Sequence, residues 1–239
     1  MLTVEQTAAA EAHIASITPQ DVERYSRYMQ DVVAPKSRED EFRRFLFAFA
    51  SVHTNWKSNC RMYLALQNLD WLHDAEKLKA RIIESGAGMY NNRTKFIHEF
   101  AEFFWGHPGW FNKSRHETWV AYRDRLETRV MGLGFAKSAF TIELVHPVDC
   151  QVLCTDVHVL KLYGFDAGKV KRRELYEIEK HWADACLARN IPVAVARWLF
   201  WDKKQKHSDS RYWTFLFEKE NYHERLAKAA ATAERQVII

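Results

Sequence analysis

Glycine and proline are scarce in this chain, with eight glycines and five prolines among 239 residues. These are the strongest local breakers of regular structure. A chain so poor in them must run in long segments, and its few breakers must mark most of its turns. Pro19, Pro35, Pro108, Pro147 and Pro192 all fall at boundaries between segments with helical spacing of apolar residues. Residues 18–33 open with a Thr followed by Pro, residues 37–53 with Ser and acids before an apolar run, and residues 55–69 with Asn. Each opening is the signature of a helix N-cap. Residues 74–86 and 92–106 end at glycine, and 114–134 end in a Gly-Leu-Gly turn. Residues 137–146, 157–163, 171–190 and 192–206 read as further helices, and 218–239, rich in Ala, Glu, Lys and Arg, as a last one. With no strand alternation and no internal repeat, the expectation is an all-α fold of roughly nine or ten helices.

The length suffices for one large domain or two small lobes. Apolar content of 47% and charged content of 28% fit a globular chain. The net charge of +4 does not by itself call for a polyanionic partner. The local clusters at 168–173 (GKVKRR) and 203–207 (KKQKH) fit either a phosphate-facing surface or an ordinary solvated face. Nine Trp, nine Tyr and fifteen Phe supply a core, and those near basic residues also suit stacking on nucleobases. Cys60, Cys150, Cys154 and Cys186 form no CxxC pair, so neither a zinc nor an iron–sulfur site is expected, and no cofactor. Free thiols, no signal peptide and no membrane-length apolar run point to a cytoplasmic protein, expected as a monomer.

The stretch from Val130 to Phe140 carries the first chemical signal. A helix ends, Gly132-Leu133-Gly134 turns, and a second helix starts near Phe135. Glycine there permits positive φ and close approach of another backbone. The free amides at the start of the second helix would face an anion, as in a helix–hairpin–helix that grips a nucleic-acid phosphate without reading sequence. A plain glycine C-cap fits the same residues.

Downstream, residues 148–165 (VDCQVLCTDVHVLKLYGF) place Thr-Asp-Val-His after the second hairpin helix, with Asp156 twenty-two positions beyond Gly134. Here the chain resembles the helix–hairpin–helix DNA glycosylases, the superfamily that includes endonuclease III and 8-oxoguanine glycosylase. The segments 45–66 and 80–100 resemble the parts of that family upstream of the hairpin, so the likeness covers roughly residues 40 to 200. It implies a two-lobed helical fold, here one unit whose core (36–165) includes the hairpin (126–146). Residues 1–35 and 166–239 would pack as the second lobe.

The resemblance also implies roles. Asp156 becomes the carboxylate that stabilises an oxocarbenium-like sugar as the glycosidic bond breaks; read alone, it is also a good N-cap. Gly132, Leu133, Gly134, Phe135, Lys137 and Ser138 form the DNA-contacting hairpin. Bifunctional members carry a Schiff-base lysine two residues after the second glycine, a position held here by Ala136, with Lys137 one step later. One helical step is about 100°, so this register expects Lys137 turned toward phosphate and a monofunctional enzyme. The nucleophile role remains its alternative. His53 stands where the family often places a base-replacing Gln, Asn55 and Trp56 follow as pocket candidates, and His158 supports the site from beneath. A core histidine explains His53 as well.

Three functions fit. The first is a glycosylase acting on a modified base flipped from double-stranded DNA. The second is a glycosylase-like amino acid:DNA transferase of phage type, acting on activated 5-hydroxymethyluracil; the divergent ASVHTNW (50–56) and the aromatic, charged 197–213 leave room for it. The third is a DNA-binding module without chemistry.

Overall fold

The computed structural model describes residues 2–53, 55–206 and 215–217. The expected helix at 218–239 and all of the 207–213 stretch lie outside these. The described residues form eleven α-helices and no strand. They are α1 (Val4–Ala15), α2 (Pro19–Tyr28), α3 (Arg38–Ala50), α4 (Trp56–Ala65), α5 (Ala75–Glu84), α6 (Tyr90–Gly106), α7 (Trp119–Arg129), α8 (Phe135–Val145), α9 (Val157–Leu162), α10 (Arg172–Leu187) and α11 (Val193–Gln205). The all-α expectation holds.

The predicted caps close as hydrogen bonds. Thr18 caps α2 with Asp21 returning the bond, Ser37 accepts from the Asp40 amide, and Asn55 accepts from the Ser58 amide. The helix expected from residue 114 begins at Trp119, where Thr118 caps it. One helix was not expected at all. α1 is Ala-rich, with only Ala10 and Ile14 as buried apolar residues, so it shows no strong apolar stripe, yet Thr3 and Gln6 form a full capping box.

α3 is the central helix, and every residue from Phe45 to Ala50 is buried. Its phenylalanines meet those of α6: Phe45 stacks on Phe100 at 4.9 Å and Phe42 on the same ring at 5.3 Å. α8 packs beside α3, with Phe47 and Phe140 in ring contact at 6.0 Å. A second apolar cluster joins α1, α9, α10 and α11 through Ile14, Leu160, Ile178, Trp182 and Phe200. α11 serves both clusters, burying Val195 and Trp198 in the first and Val193 and Ala196 in the second. Arg197 therefore sits on the helix that joins them. No helix among the described residues is long and apolar enough to cross a membrane.

Candidate functional site

Lys137, Asp156 and Arg197 line one cavity of about 830 Å³, walled by Phe47 and Phe140 of the first apolar cluster and Leu160 of the second. The hairpin forms its rim. Val130 ends α7, Gly132 turns with φ 89°, and Gly134 stands as N-cap of α8 with no side-chain cap on the helix. The two glycines are there for different reasons. A Cβ at Gly132 would lie 2.7 Å from the Phe96 ring, in a conformation that L-residues rarely adopt. A Cβ at Gly134 would meet nothing within 4 Å, because that position opens outward. The first-turn amides of α8 are thus uncapped beside open space, as anion binding requires.

Gly132, Gly134 and Phe135 line the cavity. Leu133 and Ser138 do not and must be removed from the set of side chains able to touch DNA. Leu133 is 2% exposed, and Ser138 is fully buried with its hydroxyl donating to the Leu133 carbonyl at 3.1 Å. They pin the hairpin from within.

Lys137 is the larger correction. The register argument turns it out of the cleft, but the structure places it in the cavity wall. Phe135, Ala136 and Lys137 all border the cavity, so its mouth spans more of the first turn than one helical step can leave. Lys137 also shares a face with Phe140, three residues on, and its Nζ lies 5.2 Å from that ring's centre. Burial pushes the amine's pKa down from its ordinary 10.5, and the Arg197 charge adds to that, while Cys154, Asp156 and Glu143 oppose it.

Asp156 caps a helix, as its position before α9 foretells, and it also lines the cavity. Its Oδ1 caps α9, accepting from the amides of His158 at 2.8 Å and Val159 at 3.0 Å. Its Oδ2 is 3.9 Å from Nη1 of Arg197. His53, Asn55, Trp56 and His158 reach the same cavity. His53 has φ 47°, an uncommon conformation for a non-glycine residue. The turn is held by Arg93 of α6, which donates to the carbonyls of Phe49 at 2.9 Å and of Val52. His158 meets Trp201 edge to face at 5.2 Å.

Sequence reasoning missed Arg197, Glu143 and Arg93. Glu143 is fully buried, its Oε2 accepting from Arg197 Nε at 2.6 Å and its Oε1 from the Cys154 amide at 2.8 Å. Arg197 lies in a basic aromatic segment that the sequence flags only as a surface, and nothing local marks it as buried. Within the 168–173 cluster, Arg172 is spent on Glu127, with contacts of 2.6 and 2.7 Å.

The helical fold that carries this hairpin and cavity is that of solved 8-oxoguanine DNA glycosylases, to which the chain is similar at low identity. The 8-oxoguanine DNA glycosylase of Thermotoga maritima superposes with a TM-score of 0.62 at 15% identity, covering 86% of this chain and 95% of that one. The 8-oxoguanine DNA glycosylase of Methanocaldococcus jannaschii gives 0.62 at 17% identity, covering 78% and 86%. The Methanocaldococcus jannaschii glycosylase/lyase in complex with a 15mer DNA containing 8-oxoguanine gives 0.63 at 17%, covering 78% and 96%. No family model and no curated protein sequence matches the chain.

Proposed function

We propose that this chain is a DNA glycosylase that takes a modified base into the cavity and breaks its N-glycosidic bond, with Asp156 and Lys137 as the acting groups. The observation that carries the reading is the meeting of those two side chains in one cavity behind an uncapped helix N-terminus. The α8 amides and Gly134 would hold a backbone phosphate. The target nucleotide would swing out of the stack, because its glycosidic bond is otherwise out of reach.

Asp156 supplies negative charge where the sugar becomes oxocarbenium-like. With one oxygen fixed by two amides, the carboxylate is preorganised and need not reorient. Lys137 is the nucleophile. An amine must be neutral to attack, and burial favours that form here. Its nitrogen bonds to C1′, the base leaves with the bonding electrons, and the amine's proton is released. Opening of the sugar ring then gives an imine, so the reading is a glycosylase with lyase capacity. His53, Asn55 and Trp56 would line the base's side of the pocket. The likeness to 8-oxoguanine glycosylases puts that lesion first among bases to test.

The test is a panel of duplexes, each with one modified purine or pyrimidine, incubated with excess protein and assayed for released base, with and without borohydride. Base release together with a borohydride-stable protein–DNA adduct supports the proposal. Absence of release across the panel rejects it.

A further inference from the structure

Glu143 is a buried charge, paired with a cavity-lining residue, that the proposed mechanism leaves unused. It lies on α8 beyond Lys137 and does not reach the cavity wall. Arg197 does reach it, and this guanidinium stands between two carboxylates. Its Nη2 is 2.5 Å from Glu143 and its Nη1 is 3.9 Å from Asp156. Among the described residues, Glu143 alone receives a hydrogen bond from it. Burial pushes the Glu143 carboxyl up and the Arg197 charge pulls it back. Burial also works against the charge on Arg197, yet Glu143, Cys154 and Asp156 hold its pKa above the ordinary value.

A cation pressed against Asp156 would cancel the charge that the carboxylate is there to supply. At this burial, a guanidinium with no other anion closes on the nearest carboxylate as a forked pair. We propose that Glu143 is a positioning residue for the reaction: by holding the Arg197 guanidinium it keeps that cation from closing on Asp156, whose charge stays directed at the sugar. Glu143 also fixes the chain leading into Asp156, through the Cys154 amide. The inference rests on Asp156 as the catalytic carboxylate.

The test uses Glu143→Gln, nearly isosteric and still able to accept from the Cys154 amide. Single-turnover base release is followed on the panel duplex that wild type processes fastest. Glu143→Gln is expected to slow release about tenfold or more with duplex affinity unchanged. Adding Arg197→Met, which removes the freed cation, should recover most of the loss. In an Asp156→Asn background Glu143→Gln should have no further effect, a non-additivity that a merely structural role does not produce. A wild-type rate in Glu143→Gln, or a double variant no faster than the single, overturns the inference. Melting curves accompany each variant. Should Glu143→Gln not fold, the double variant, which leaves no orphan charge of the pair, decides alone. A rate within about tenfold of wild type supports the inference, and one as low as Asp156→Asn overturns it. Wild-type release with failed rescue removes this inference only, whereas no release by wild type removes the glycosylase reading and the inference with it.

Discussion

Asp156 and Arg197 face each other at 3.9 Å, beyond hydrogen-bonding distance, while Asp156 spends its other oxygen on the start of α9. The carboxylate is therefore fixed by backbone amides and, among the described residues, keeps one oxygen without a close partner at the cavity. That combination separates its structural task from its proposed chemical one, and substitutions can tell them apart.

Asp156→Asn retains an oxygen able to cap α9 and removes only the charge. Its melting temperature should stay within a few degrees of wild type, while single-turnover base release falls about 100-fold or more. Asp156→Ala should lose the cap as well, at about 1 kcal/mol of stability. Thermal melts beside rapid-quench base release check both. Near-wild-type release by Asp156→Asn would remove Asp156 from the chemistry.

Lys137→Ala should abolish the borohydride-trapped adduct while leaving most duplex affinity intact. Trapping on a duplex with a single abasic site reads the amine directly, whatever base the enzyme prefers. An adduct that survives in Lys137→Ala would place the nucleophile elsewhere. A wild type that releases base without any adduct would favour water and a monofunctional enzyme.

The depressed pKa of Lys137 has a consequence for stability. The folded state releases this proton more readily than the unfolded chain, so the group's stabilising contribution is fully present above the unfolded value near 10.5 and is lost as pH falls through the folded value. Lys137→Met should thus melt higher than wild type at neutral pH, with the gap closing as pH approaches 10.5. Melting curves across that range test the sign. A gap that widens with pH contradicts the burial of the amine.

The hairpin glycines should respond oppositely to substitution. Gly132→Ala places a Cβ 2.7 Å from Phe96 at positive φ, so the protein should lose about 1–2 kcal/mol or more of stability. Gly134→Glu meets open space and should fold normally, yet bind every duplex more weakly, because it sets a negative charge against the phosphate. Chemical denaturation and salt-dependent duplex binding distinguish the two. Unchanged affinity in Gly134→Glu takes the hairpin out of the DNA interface.

The sequence by itself determined what depends on neighbours in the chain. The Thr18, Ser37 and Asn55 caps, the Gly132–Gly134 turn and the capping geometry of Asp156 are interactions within a few residues, and residue type and spacing report them directly. Even the missed α1 had its capping box in view, and only its weak apolar face hid it. The tertiary structure alone decided the direction of Lys137, the burial of Leu133 and Ser138, and the Glu143–Arg197 pair. A register argument gives an angle about one helix axis, whereas the width of the cavity depends on how α3, α8, α9 and α11 pack around it. Glu143 and Arg197 are 54 residues apart, and neither carries a local sign of its partner. Their pairing links α8 to α11, because a charge buried there needs an opposite one within reach.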